Sequence, residues 1–141
     1  MQLQSEQVIG RPPEEVFDHL ADACNEVHWN AWARRVEKLS DGPVGLGTRF
    51  RADIQNMGQV EFELADYERP SRLQQHALLG SGESWHTYML EAVPGGTRVR
   101  QQARVEPRGV MRLMAPLMGP LWVTFPSAPR SARVKIIGWP G

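Results

Sequence analysis

The sequence predicts an α+β domain in which a run of antiparallel strands is followed by one amphipathic helix. Three observations predict it. Apolar and polar residues alternate with period two over most of the middle of the chain, and glycine- and proline-rich turns cut that stretch into short strands. After Pro107 the period changes: Val110, Leu113, Met114, Leu117, Met118 and Leu121 fall at helical spacing. Near the start, Pro12-Pro13-Glu14-Glu15 puts proline where a helix tolerates a missing N–H and carboxylates at the positive end of its dipole.

Residues 2 to 10 read as a weak first strand, polar and partly alternating. Val16, Phe17, Leu20 and Ala21 then form one apolar stripe, so a helix is expected over about 13 to 23. The segment 23 to 32 is polar and turn-prone but rich in aromatic surface, which predicts a short helix or a loop. A short strand from 35 to about 40 ends at Asp41-Gly42-Pro43, and Gly45-Leu46-Gly47 makes a second break.

Thr48, Phe50, Ala52 and Ile54 alternate with Arg49, Arg51, Asp53 and Gln55, the pattern of a strand with one buried face. Asn56-Met57-Gly58 predicts a hairpin turn into a strand on which Val60, Phe62 and Leu64 point one way. Residues 73–79, 84–92 and 97–105 supply three more strands, separated by Gly80-Ser81-Gly82 and Pro94-Gly95-Gly96. Five successive strands on short turns make an antiparallel meander. Pro116 and Pro120 interrupt the final helical stripe, so a kinked helix is expected over about 109 to 122. The remainder, 123–141, contains Pro126, Pro129 and Pro140 and reads as an atypical tail, either disordered or an added edge strand.

Composition narrows the function classes. At 141 residues, with 41% hydrophobic and 23% charged side chains, the chain suits one ordinary globular domain. Its 16 basic residues balance 16 acidic ones, so no overall field draws it to nucleic acid or an anionic membrane. The balance is uneven along the chain: 15 of the acidic residues precede Arg98, while 8 of the basic residues lie from Arg98 onward. Two mutually attracting halves explain this, and so does a basic C-terminal surface for an anionic partner. Cys24 is the only cysteine, which excludes an internal disulfide and suits a reducing cytoplasm. The N-terminus lacks the pattern of a secretory signal, no apolar run approaches a membrane span, and a cytoplasmic protein is expected.

With its particular residues added, the element order resembles the START-like (SRPBCC) superfamily of Bet v 1-type helix-grip domains, in its polyketide cyclase/dehydrase-like branch. The matching pieces are Ile9-Gly10-Arg11-Pro12-Pro13-Glu14-Glu15-Val16-Phe17, Trp29, Gly45-Leu46-Gly47-Thr48-Arg49-Phe50 and Tyr67-Glu68-Arg69-Pro70-Ser71-Arg72-Leu73. Tyr88-Met89-Leu90-Glu91, Gly95-Gly96-Thr97-Arg98-Val99 and Pro107-Arg108-Gly109 follow in order. Each is mostly turn and strand grammar; their succession from residue 9 to about 121 carries the resemblance. It implies a curved antiparallel sheet wrapped around the C-terminal helix, a domain over 1–122, and an apolar cavity between sheet and helix. One departure stands out. Members usually extend the last helix, which closes the cavity, whereas here the helical pattern stops near Trp122 and the tail through Trp139-Pro140-Gly141 matches no usual ending. That tail could be a natural variant, a strand added to this sheet or to a neighbouring chain in a homodimer, or a non-native reading of the gene's end.

No motif dictates a reaction. Gly42, Gly45 and Gly47 lack the Lys-Ser/Thr and strand-to-helix setting of a phosphate loop. His19, His28, His76 and His86 show no metal-ligand spacing, and Cys24 has no basic neighbour to activate it, so no metal and no cofactor are expected. The implied cavity would be lined by Phe50, Ile54 and Phe62 on the sheet and by Leu113, Met114, Leu117 and Met118 on the helix. Most such residues are simply core.

The polar and aromatic members carry more information. If Leu90 points inward, Tyr88 and His86 share its face; if Trp85 does, Thr87 and Met89 go with it, and the first arrangement is the preferred one. Gln101 on the next strand would be an amide in an apolar wall, bonded either to another core group or to a ligand. Trp29 and Trp32, three apart, would share a face of a helical link at the cavity mouth, as a lid over the core or as a stacking platform.

Three functions compete. The first is binding of a hydrophobic small molecule such as a lipid, quinone or polyketide-like compound. The second is a cyclase or dehydratase using His86, Tyr88 or Asp53 as acid or base. The third is a stress-response or protein-interaction domain.

Overall fold

The computed structural model describes residues 2–80 and 82–107. Seven strands form one antiparallel sheet in the order β1-β7-β6-β5-β4-β3-β2, where β1 is Gln2–Ile9, β2 Ala33–Lys38, β3 Arg49–Ile54 and β4 Gly58–Glu68. β5 is Arg72–Leu79, β6 Gly82–Val93 and β7 Gly96–Pro107. From β2 to β7 the chain is a meander, and β1 then pairs with β7 (Ile9 opposite Thr97, Gln2 opposite Arg104). Two helices, α1 Pro13–Ala21 and the one-turn α2 Glu26–Trp29, join the edge strands β1 and β2. This is the α+β helix-grip architecture, with a curved sheet. Register irregularities in β2, between Ala33 and Arg35, and in β4, between Leu64 and Asp66, are bulges of the kind that bend a sheet.

Local chemistry sets the turns. Asn56 and Gly58 both take left-handed backbone conformations, φ 69° and 78°, and so close the β3–β4 hairpin. At the β6–β7 turn, Gly96 lies so near the Ile9 backbone that a Cβ would collide with it. α1 starts with Pro13 at its first position and Glu14 and Glu15 in its first turn, and ends at Ala21 before a 3-10 turn, Ala23–Asn25.

The stripe Val16, Phe17, Leu20 and Ala21 buries α1 against the inner face of the sheet, beside β6 and β7. There it meets Leu73, Tyr88, Leu90 and Val99 in one core cluster with Phe50, Ala52, Phe62, Leu64 and Ala77. Phe17 packs edge-on to Tyr67 (5.0 Å) and Phe50 stacks on Phe62 (5.4 Å). Alternation sends the charges to the outer face, where Arg51 joins Glu37 and Glu61, and Arg98 and Arg100 join Glu6 and Glu91. The helix expected at 109–122 and the tail 123–141 lie outside the described residues.

Candidate functional site

The inner face has two ends. α1 covers one, where Leu73, Val99 and Thr97 are fully buried. Toward the other end the strands line a half-open cavity of about 190 Å³ beneath α2. Most of its wall is apolar, with Ala52 and Ile54 of β3, Val60 and Phe62 of β4, Ala77 and Leu79 of β5 and Val105 of β7; exposed Met57 of the β3–β4 turn is also part of it. The polar lining is Glu26 and Asn30 at the two ends of α2, Gln75 of β5, and Ser84 and His86 of β6.

These polar side chains come from three elements. β5 and β6 pair with Gln75 directly opposite His86, so both project onto the inner face. The Gln75 amide then reaches over and donates to Glu26 Oε1 at 2.8 Å. Glu26 is only 7% exposed, and burial pushes its carboxyl above the usual range, with Gln75 and Asn30 opposing the shift through hydrogen bonds. His86 stacks on the Tyr88 ring at 4.5 Å, and burial lowers its pKa to about 4, so it is neutral at ordinary pH. Its residual exposure faces the cavity it lines.

Tyr88 is fully buried behind His86. Burial first, and the nearby Glu26 carboxyl second, drive its phenol well above the ordinary value. Its register partner on β7, Gln101, opposes that rise, although the contact falls short of strict hydrogen-bond geometry; the Gln101 carbonyl oxygen accepts from Ser5 (2.9 Å).

The sequence-derived candidates separate accordingly. Ile54, Phe62 and His86 line the cavity, while Phe50 and Tyr88 are core residues directly behind it. Gln101 is on the inner face but outside the lining. Asp53 is a correction: the alternation of β3 turns it away from Ala52 and Ile54, onto the outer face opposite Arg35 and Gln59, so it cannot serve this cavity. The tryptophan pair is another. α2 ends at Trp29, and its cap Asn30 is already extended (φ −98°, ψ 106°), so Trp29 and Trp32 do not share a helical face. Trp29 packs edge-on to Tyr88 (6.5 Å) against the core, and neither indole lines the cavity. Leu113, Met114, Leu117 and Met118 lie outside the described residues. Cys24 is half-buried, its thiol raised by burial and by Asp22, the opposite of an activated nucleophile. Among the described residues no group of three His, Cys, Asp or Glu could hold a metal, and no helix is long and apolar enough to cross a membrane.

Glu26 was missed. The signal was its spacing, three before Trp29 and four before Asn30, which in a helical turn places it on their side of the link.

Comparison with known proteins gives a consistent answer. A family model described as polyketide cyclase / dehydrase and lipid transport matches residues 1–124. No curated protein matches the chain. Among solved structures, a Thermus thermophilus protein superposes with a TM-score of 0.72 at 21% identity, covering 99% of this chain and 95% of its own. A Deinococcus radiodurans protein gives 0.59 at 22% identity, with 98% of each chain covered. A Streptomyces aromatase/cyclase gives 0.61 at 15% identity, covering 78% of this chain and 70% of its own. At these identities the likenesses show a common fold.

Proposed function

Because the chain belongs to the polyketide cyclase / dehydrase and lipid transport family, we propose that it binds a hydrophobic small molecule in the inner-face cavity. The observation that carries this is the make-up of the cavity wall: apolar Ala52, Ile54, Val60, Phe62, Ala77, Leu79 and Val105, with a few polar groups among which Glu26, Gln75 and His86 are the largest. An apolar space with a few polar groups suits a guest with an oily body and an oxygen-bearing end. The apolar wall supplies affinity by removing hydrocarbon from water, and the polar groups fix orientation.

The test is native mass spectrometry of the purified full-length protein, as isolated and after incubation with hydrophobic small molecules. A bound species of defined mass is expected, and Ala77→Phe, which fills the cavity from β5, removes it. A protein that takes up no such molecule at any concentration short of its solubility limit contradicts the reading.

A second reading is favoured by His86. An imidazole in the wall of an apolar pocket is unprotonated at ordinary pH and so free to take a proton from carbon next to a ligand carbonyl, as a cyclase or dehydratase needs, though burial makes it a weaker base than an exposed one. Tyr88 is less suited, since its phenol sits behind His86 and is pushed away from neutrality. Under this reading His86→Phe keeps ligand uptake and abolishes turnover; under the binding reading alone there is no turnover to lose.

A further inference from the structure

We propose that Glu26 is the polar anchor of the cavity, and that the guest it holds is a small single-ring compound carrying a hydroxyl, of the phenol class. The proposal rests on the reading that the cavity binds a hydrophobic molecule, and narrows it.

Three observations carry it. The first is the placement of a carboxyl group in the wall of an apolar space. Burying such a group is unfavourable unless it is well paired, and the partners of Glu26 are neutral amides, Gln75 and Asn30, not a cation. A carboxyl has capacity for more than these two bonds, and Glu26 lines the cavity. The second is its neighbours. Gln75 is held by its register with His86, and its amide nitrogen is committed to Glu26, so the carboxyl is oriented before any guest arrives.

The third is size. A cavity of roughly 150 Å³ encloses a benzene molecule, and drug-sized sites run from about 300 Å³ upward. At about 190 Å³ this half-open space takes a single ring with a short substituent within its walls. The hydroxyl follows from the anchor's chemistry. A hydroxyl both donates and accepts, so it meets Glu26 whether the carboxyl is protonated or ionised, whereas a carbonyl only accepts and meets it in one state. Ala52, Ile54, Phe62 and Leu79 supply the surface for the ring.

The experiment is calorimetric titration of the full-length protein with 4-propylphenol, propylbenzene and 1-hydroxypyrene. The phenol is expected to bind about tenfold or more tighter than propylbenzene, the difference that one hydrogen bond to an acidic group makes, and 1-hydroxypyrene is expected not to bind. Glu26→Leu brings the phenol down to the level of propylbenzene, while Glu26→Gln, which keeps hydrogen-bonding capacity, retains most of the preference. Equal affinity for phenol and propylbenzene overturns the anchor but leaves the cavity reading standing. Tight binding of 1-hydroxypyrene overturns the size class. Binding of none of the three overturns the cavity reading itself. Should Glu26→Leu fail to fold, the wild-type comparison and Glu26→Gln still decide.

Discussion

Strands β5 and β6 each run through two environments on one face of the sheet. At the α1 end, Leu73 and Leu90 are buried with Val99 under Val16, Phe17 and Leu20. Toward the other end the same alternation brings Gln75, Ala77 and Leu79 on β5, and His86 and Ser84 on β6, to the wall of a cavity. Polar residues enter the inward positions where α1 no longer covers them. Parity along a strand decides which face a side chain occupies; position along the strand decides whether that face packs under α1 or lines the cavity.

The sharpest way to break this comparison is one substitution made twice on β5. Leu73→Ala opens a hole in packed core and should cost about 3 kcal/mol, within the range of roughly 2–5 kcal/mol for such truncations. Leu79→Ala, on the same face beside space already empty, should cost about 1 kcal/mol or less. Urea denaturation of both variants checks it, and equal losses would erase the distinction between the two ends.

The cavity end also carries a pH dependence. His86 titrates at about 4 in the fold against 6.5 when exposed, so between those values the unfolded chain binds more protons. Its contribution is complete above 6.5 and is lost as pH falls toward 4, on the order of 3 kcal/mol at most. Glu26 has the opposite sign: its carboxyl is raised, the folded chain holds the proton longer, and stability is lost as pH climbs through that raised value. His86→Phe should flatten the acid limb of the stability profile and Glu26→Gln the limb above the usual carboxylate range. A profile that neither variant alters would show that both groups are better solvated than their burial implies.

Much of the fold was legible because its signals are local. Period-two alternation from Thr48 to Val105 marked the strands, Asn56-Met57-Gly58 marked a hairpin, and the inward set Leu90, Tyr88 and His86 followed from parity. The same rule, applied to β3, would have set Asp53 apart from its inward neighbours Ala52 and Ile54. Glu26 was not legible as a buried acid, because what holds it is Gln75, 49 residues away on β5. The Trp29 and Trp32 pairing failed for a related reason: spacing by three aligns side chains only while the helix continues, and α2 stops at Trp29. The cavity itself depends on where α1 ends, which no single segment encodes.

One end of the inner face is packed under α1, and the other lines the cavity that we propose takes a guest. Titrating the full-length protein with propylbenzene while following its methyl NMR resonances tests this most directly. Shifts at Ile54, Ala77 and Leu79, with Val16, Leu73 and Val99 unmoved, are the predicted result. No shifts at saturating ligand, or equal shifts at both ends, would contradict it.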